Sequence, residues 1–295
     1  MNAPLIPPPD LVPAEVIAQA LRHPPSSPKV LPVLKRYLRD FNVSVYQIGE
    51  LIRFDPGISA RVLQIANSAA FSRGARCNSV ELAVNRIGFD SIFEIVANAV
   101  AEQVLVRPLA SYALDADEFW RRSVTCGLAA ECLADLQGSD RNVAYTLGLM
   151  HGVGMVAIDQ WVQKFAPTFG FFGRGFPRDH TDGERALLGC TNAEVGAAVL
   201  HGWEFPAEMA EPLRWQYAPL DSAAFREMNC LLYAAKWICA RICAENPESI
   251  CAPDERFLRP LKLNGATLGK QISIVRTRMD EVQRSLEDHQ PREAA

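Results

Sequence analysis

The sequence predicts an all-α fold. From Val30 onward, apolar residues recur with the periodicity of amphipathic helices along most of the chain. Helix start and stop signals separate these segments: Asp55-Pro56 and Ser79 are typical of helix N-termini, and Gly88 is typical of a C-terminus. No segment keeps the apolar–polar alternation of a half-buried strand. We therefore expect one helical bundle whose two halves share a core.

The first half of the chain divides into short amphipathic helices. The helix that follows Asp55 is expected to end near Asn67-Ser68. In the helix that follows Ser79, we expect Leu82, Ala83 and Ile87 to point inward. The predicted helices are residues 30–38, 45–52, 56–67, 80–87 and a long segment from Asp90 to Val100.

The second half is predicted to contain longer helices. Residues 142–158 are unusually apolar, so we expect one central helix that carries His151 in its interior and is buried on most faces. Residues 165–177 are rich in Gly and Phe and are predicted to form a loop or short turns. The other predicted helices are residues 119–136, 184–188, 193–200, 207–217, 229–243 and 266–286.

Proline clusters set the predicted domain organisation. Residues 1–27 are interpreted as a proline-rich tail that lies on, or extends from, one helical domain at residues 28–295. Within the tail, residues 13–21 are compatible with one short helix. Within the domain, we expect a core at residues 28–245 and a C-terminal helical extension at residues 246–295.

Composition excludes several classes of function. The chain has 295 residues and a formal net charge of −4, which gives no general attraction to nucleic acid or anionic lipid. Its apolar stretches are shorter than the roughly 20 residues of a membrane-spanning helix, and no secretory signal is visible, so we expect a cytoplasmic protein. The 8 cysteines include no Cys-x-x-Cys pair, which favours small buried side chains over disulfides or a metal site.

Several segments together resemble one known family. Residues 51–68 read LIRFDPGISARVLQIANS, and residues 78–88 read NSVELAVNRIG. In the second half the matching segments are 119–123 (FWRRS), 147–156 (LGLMHGVGMV), 188–196 (LGCTNAEVG) and 203–206 (WEFP). The chain resembles the HDOD family, the HD-related output domains of bacterial signalling proteins. The resemblance implies an HD-related multi-helix bundle and a regulatory role, usually without demonstrated catalysis.

The same resemblance locates the positions at which HD hydrolases hold their catalytic metal. His151 keeps the histidine of the His-Asp pair, but Gly152 replaces the aspartate. Arg122 stands where a first histidine is expected, and an arginine cannot ligate a cation. Asn192 stands at a later histidine position. The remaining positions are Gln216 and Tyr217, near a further expected ligand, and the Tyr233-Ala234-Ala235-Lys236 stretch, where an Ala-Asp pair is expected.

These replacements predict that the chain has no metal cofactor and is not an enzyme. His151 is interpreted as a hydrogen-bonded core histidine, and the alternative is a converted pocket that binds an anion or a carboxylate. That candidate pocket comprises Arg122, His151, Asn192, Gln216 and Tyr217. For Arg122, a structural ion pair is an equally good interpretation.

Two functional hypotheses follow from these patterns. The first is a non-catalytic regulatory module that contacts an unidentified signalling protein and binds neither nucleic acid nor membrane. The second is a divergent phosphohydrolase, or a protein that binds a nucleotide or other anion, using the converted pocket. The polar-faced helix at residues 266–286 is either a contact surface or an amphipathic helix that packs on the domain, and the second is favoured by its mixed polarity.

Overall fold

A computed structural model gives the fold. The structure describes residues 12–21, 30–37, 43–71, 74–88, 92, 95, 108–167, 169–171, 179–222 and 224–288. Across these ranges the regular structure is helical. The β-type pairing within them is an isolated bridge between Leu109 and Leu114. The predicted all-α class is confirmed.

The helices of the first half follow the local sequence signals closely. Asp55 Oδ1 accepts the Ile58 N–H at 2.9 Å, and Ser79 Oγ accepts the Leu82 N–H at 3.3 Å, so both predicted N-caps are present. Gly88 ends its helix with a φ of 81°. The helices are α1 (Ala14–Ala18), α2 (Val30–Tyr37), α3 (Val45–Arg53), α4 (Pro56–Asn67) and α5 (Val80–Ile87).

Two expectations for this half had different outcomes. The prediction that Leu82 points inward was wrong, because its side chain is 51% exposed. The buried face of α5 comprises Val80, Ala83, Val84 and Ile87, and Leu82 lies two positions from Val80, on the other side of the helix. Most of the helix predicted from Asp90 to Val100 lies outside the described residues, although Ile92 and Ile95 are helical and buried.

The second half contains the longest helices. Helices α6 and α7 pack against each other along much of their length, and α12 packs against α6. Their bounds and those of the remaining helices are α6 (Ala116–Gln137), α7 (Arg141–Met150), α8 (Val153–Phe165), α9 (Asp179–Leu188), α10 (Asn192–Gly202), α11 (Ala207–Arg214), α12 (Arg226–Cys243), α13 (Glu255–Leu258) and α14 (Gly265–Asp288).

The prediction of one helix at residues 142–158 was wrong. The chain forms α7 and α8, with His151 and Gly152 at the break between them. Two glycines flank the break, and each brings its helix against a different neighbour. A Cβ on Gly148 would lie 2.6 Å from the Cys126 carbonyl oxygen of α6, and one on Gly154 would overlap the Asn192 carbonyl oxygen of α10.

Both ends of the described chain pack on the bundle. Ile17 of α1 and Leu21 are buried, and the Val12 N–H donates to the Leu188 carbonyl at 3.2 Å, so the short helix predicted near the N-terminus forms on the domain surface. At the other end, α14 packs against α6 and α12. Its buried side chains include Leu268, Val275, Met279 and Leu286. None of the described helices is long and apolar enough to cross a membrane.

A buried carboxylate connects the two halves. Glu131 of α6 is 4% exposed and meets guanidinium groups from three other helices. Its oxygens lie 3.4 Å from Arg53 of α3, 3.4 Å from Arg141 of α7 and 2.7 Å from Arg278 of α14. We call these four residues the Glu131 cluster. Tyr145 adds a further link, because its hydroxyl donates to the Arg53 carbonyl at 2.8 Å.

Candidate functional site

The break between α7 and α8 faces the beginning of α10, the residues after α11 and the middle of α12. His151 lies at the break, Asn192 begins α10, and Gln216 and Tyr217 follow α11. Hydrogen bonds join these four predicted residues into two pairs. Gln216 Nε2 donates to the His151 carbonyl at 3.4 Å, and the Tyr217 hydroxyl donates to Asn192 Oδ1 at 3.0 Å.

The His151 imidazole is held neutral. Its Nδ1 lies 2.8 Å from the Gly148 carbonyl oxygen, so Nδ1 carries the proton and Nε2 keeps its lone pair. Burial lowers the pKa of His151 to about 3, and the charges of Lys236 and Arg122 add to this effect, against the bond to Gly148. A histidine with this pKa stays uncharged at neutral pH.

Lys236 of α12 places an ammonium group in the middle of these residues. Lys236 Nζ donates to Gln216 Oε1 at 2.5 Å and lies 3.5 Å from the centroid of the Tyr217 ring. Lys236 is 8% exposed, and burial lowers its pKa to about 7. Its hydrogen-bond acceptor and its ring partner are both neutral, so the charge is solvated by dipoles and a π face. We call Lys236, Gln216, Tyr217 and His151 the Lys236 cluster.

A buried glutamate orients the Asn192 amide. Asn192 donates from its backbone N–H to Glu184 Oε2 at 2.6 Å and from Nδ2 to both carboxylate oxygens at 2.9 Å. The Tyr112 hydroxyl donates to Glu184 Oε1 at 2.6 Å. Burial raises the pKa of Glu184, while the bonds from Tyr112 and Asn192 oppose the rise. These bonds leave Asn192 Oδ1 as the acceptor for Tyr217.

Gly152 lies against an aromatic ring. A Cβ on Gly152 would lie 2.8 Å from Cε2 of Phe119 on α6, which is closer than real side-chain contacts allow. The Phe119 ring therefore takes the space that a side chain at position 152 needs. This contact leaves little room for any side chain larger than that of glycine at the break between α7 and α8.

Arg122 forms an ion pair with Glu118 and not with the other four residues of the predicted pocket. Its Nη2 lies 2.5 Å from Glu118 Oε1, one turn earlier on α6, and its side chain is 36% exposed. Within the described part of the chain, none of the other four pocket residues forms a hydrogen bond with Arg122. The structural ion pair is therefore the arrangement that the structure contains, although the charge of Arg122 still acts on His151.

Three other side chains that could in principle ligate a metal, Asp159, His180 and His201, have partners of their own. Asp159 Oδ1 accepts the Ser111 N–H at 2.9 Å, and His180 Nδ1 lies 3.1 Å from the Phe171 carbonyl oxygen. His201 is 4.0 Å from Glu211. Among the described residues, no group of three or more His, Cys, Asp or Glu side chains has an arrangement that could hold a metal ion.

Sequence reasoning missed the contacts that Lys236, Glu184 and Phe119 make at this site. Lys236 was named only as part of the Tyr233-Ala234-Ala235-Lys236 stretch, where an Ala-Asp pair is expected. A signal was available, because Lys236 follows Ala234-Ala235 and precedes Trp237-Ile238 in an apolar stretch. A lysine in such a stretch indicates either a functional site or a specific buried partner. The contacts of Glu184 and Phe119 depend on the tertiary structure and have no comparable signal.

Comparisons with known proteins agree with this architecture. The chain matches the response regulator MmoQ from Methylococcus capsulatus str. Bath with a TM-score of 0.71 and 18% identity, covering 86% of this chain and 99% of that one. It matches a virulence factor from Campylobacter jejuni subsp. jejuni with a TM-score of 0.65 and 14% identity, covering 90% and 96%. At these identities the likeness shows the fold.

Sequence comparisons identify the family. An uncharacterised protein of Treponema pallidum (strain Nichols) is 26% identical over 232 residues, which are 73% of this chain and 44% of that protein. The chain thus spans less than half the length of this curated relative. The model of the HDOD domain matches residues 25–219, about two thirds of the sequence. The chain belongs to the HDOD family.

Proposed function

We propose that this HDOD protein is a non-catalytic regulatory module that acts by contact with another signalling protein. The observation that carries the proposal is the Lys236 ammonium group, which lies among the residues that the family resemblance assigns to the HD metal site. A lysine at this place can supply a positive charge where a hydrolase needs a divalent ion, although its pKa of about 7 leaves it only partly protonated at neutral pH.

The side chains present do not fit a divalent metal. Gln216 Oε1 accepts a hydrogen bond from Lys236, and Asn192 Oδ1 accepts one from Tyr217, so both amide oxygens are engaged. His151 Nε2 is the remaining imidazole donor in this group. A divalent ion bound there would be repelled by the ammonium group, and the nearby Glu184 carboxylate already accepts hydrogen bonds from Tyr112 and Asn192. We therefore derive no metal-dependent step for this chain.

The contact between Gly152 and Phe119 supports the same conclusion. A hydrolase needs a carboxylate next to its histidine, and here the ring of Phe119 fills that space. Restoring an aspartate at position 152 would require the ring to move as well. The loss of the metal ligand is thus accompanied by a packing change that fills the space.

The proposed signalling role also draws on the relatives. MmoQ is described as a response regulator, which is a statement about that protein. The shared fold makes a role in signal transduction the natural proposal for this chain. The apolar side of helix α14 is buried against the bundle, so we do not propose it as the contact surface.

Metal content and turnover test the proposal. The full chain would be produced in medium supplemented with Mn, Fe and Zn, purified without chelators, and assayed for bound metal and for hydrolysis of a phosphodiester panel. We expect substoichiometric metal and no turnover above the buffer rate. One equivalent of metal together with turnover, both lost in His151→Ala and retained in His201→Ala, would contradict the proposal.

Affinity capture of the intact chain from its native cells tests the contact. We expect a signalling protein to be enriched at near-equal amounts with the wild-type chain and with Lys236→Met, because the buried cluster makes no contact with a partner. Recovery that depends on Lys236 would show that the cluster itself is the working site.

One observation favours the alternative, an anion-binding protein. Lys236 and Arg122 both place positive charge near His151. A thermal-shift panel of nucleotides and inorganic phosphate tests this function. Stabilisation by a phosphorylated ligand that disappears in Arg122→Ala and persists in Arg141→Ala would establish it, and we expect no such stabilisation because Arg122 is paired with Glu118.

A further inference from the structure

The seam between α6 and α12 contains a pair of thiols. Cys239 and Cys243 are one turn apart on α12, and their sulfur atoms are 4.0 Å apart. Each residue is 5% exposed. Both sulfurs face α6, because Cys239 Sγ donates to the Arg122 carbonyl at 3.3 Å and Cys243 Sγ lies 3.8 Å from Thr125 Oγ1.

The distance between the sulfurs suits an ion better than a covalent bond. A disulfide requires sulfurs about 2.05 Å apart and Cβ atoms about 3.8 Å apart, whereas side chains one helical turn apart have Cβ atoms about 5–6 Å apart. A thiolate–metal bond is about 2.3 Å long, as for zinc, so one ion can join sulfurs up to about 4.6 Å apart. The observed 4.0 Å falls within that reach.

The surroundings of the pair favour an anionic complex. Arg121 Nη2 donates to the Cys243 carbonyl at 2.8 Å, which brings a guanidinium group to this end of α12. Lys236 lies one turn before Cys239 on the same helix. Two thiolates with one monovalent cation carry a single net negative charge, which these cationic groups would balance.

We propose that Cys239 and Cys243 bind one soft monovalent cation of the Cu(I) type as a two-thiolate site. Both thiols lose their protons to solvent as the two sulfur–metal bonds form, and no oxidation or reduction is involved. Thiolate ligands select soft ions. Zinc prefers four ligands, and the described part of the chain offers no group of three or more ligating side chains at this seam.

Competition for Cu(I) tests the site. The full chain would be reduced with a phosphine under anaerobic conditions and titrated with Cu(I) against a bathocuproine chelator. We expect one Cu(I) per chain to be withheld from the chelator, and Cys239→Ser/Cys243→Ser to weaken that affinity at least about 100-fold. Intact mass spectrometry under non-denaturing conditions would confirm the stoichiometry.

Control variants separate this site from the other thiols and from misfolding. Cys230→Ser alters a buried thiol on the same helix, and Cys251→Ser alters an exposed one. We expect both to retain Cu(I) binding. Cys243→Ala removes one ligand with little change in packing, and its folding would be verified by thermal unfolding. Equal affinity in the wild type and the double variant, or equal loss in Cys230→Ser, would overturn the proposal.

Discussion

The Glu131 cluster and the Lys236 cluster are both built on buried charge, but they neutralise it differently. Glu131 is surrounded by three guanidinium groups, so opposite charges compensate one another. Lys236 donates to an amide oxygen and lies on an aromatic face, and the Glu184 carboxylate acts on its charge without a hydrogen bond to it among the described contacts. The first arrangement ties four helices together. In the second, burial lowers the pKa of the ammonium group to about 7, and the nearby Glu184 opposes this shift only in part.

The largest expected effect comes from neutralising Glu131. Glu131→Gln removes the carboxylate that Arg53, Arg141 and Arg278 share, although Arg53 keeps Glu81 at 2.9 Å and Arg141 keeps Asp135 at 3.4 Å. Because one partner of a buried ion pair is removed, we expect a loss of about 3 kcal/mol in the free energy of unfolding. Urea denaturation at pH 7 measures it, and a loss below about 1 kcal/mol would show that the cluster behaves as an exposed pair does.

Neutralising Lys236 should change the free energy of unfolding in the opposite direction. Lys236→Met keeps most of the side-chain volume and removes a buried charge, so we expect unchanged or higher stability, by about 1 kcal/mol. If Lys236→Met destabilised the protein as much as Glu131→Gln does, the contrast between the two clusters would be wrong.

The stability difference between Lys236→Met and the wild type should also depend on pH. The folded pKa of Lys236 is about 7 and the ordinary value is 10.5, so the unfolded state binds more protons between these values. The cost of burying the ammonium group is full below pH 7 and falls as pH rises towards 10.5. We expect the stability advantage of Lys236→Met to be greatest near pH 6 and to shrink by pH 9, as measured by parallel urea titrations. An advantage that is constant across this range would contradict the lowered pKa.

His151 gives a second pH window. Its pKa is about 3 in the fold against an ordinary 6.5, so the unfolded state binds more protons between these values. Stability should therefore fall as pH drops from 6.5 towards 3. We expect His151→Gln to lose less stability than the wild type over this range, whereas His201→Gln, which alters an exposed histidine, should follow the wild type.

The smallest expected effect concerns Arg122. Its partner Glu118 is 30% exposed, so the pair is partly solvated. We expect Glu118→Gln to cost no more than about 1 kcal/mol in thermal or urea unfolding. A loss comparable to that of Glu131→Gln would indicate that Arg122 belongs to a buried cluster after all.

Local chemistry explains which parts of the fold could be predicted. The helix starts at Asp55 and Ser79 depend on a side chain and the N–H groups of the next turn, so the sequence contains the whole signal. The break at His151 lies between Gly148 and Gly154, whose close contacts with two different helices no local pattern reveals. The helical pattern across residues 142–158 therefore gave the right secondary structure and the wrong continuity.

The candidate site was predicted in part for a similar reason. The family resemblance located His151, Asn192, Gln216 and Tyr217, and the structure places them in contact through hydrogen bonds. The resemblance located Lys236 only within a stretch that lacks an expected Ala-Asp pair, because the search was for side chains that can bind a cation. In the structure, the Lys236 ammonium group lies where such a search expects a bound cation.

Titration with Mn²⁺ followed by electron paramagnetic resonance tests the central claim most directly. The claim is that the Lys236 ammonium group has replaced the metal of the HD site. It predicts that the signal of free Mn²⁺ grows in proportion to the added ion and that wild type and His151→Ala give the same curve. Loss of the free signal up to one equivalent in the wild type, but not in His151→Ala, would contradict it.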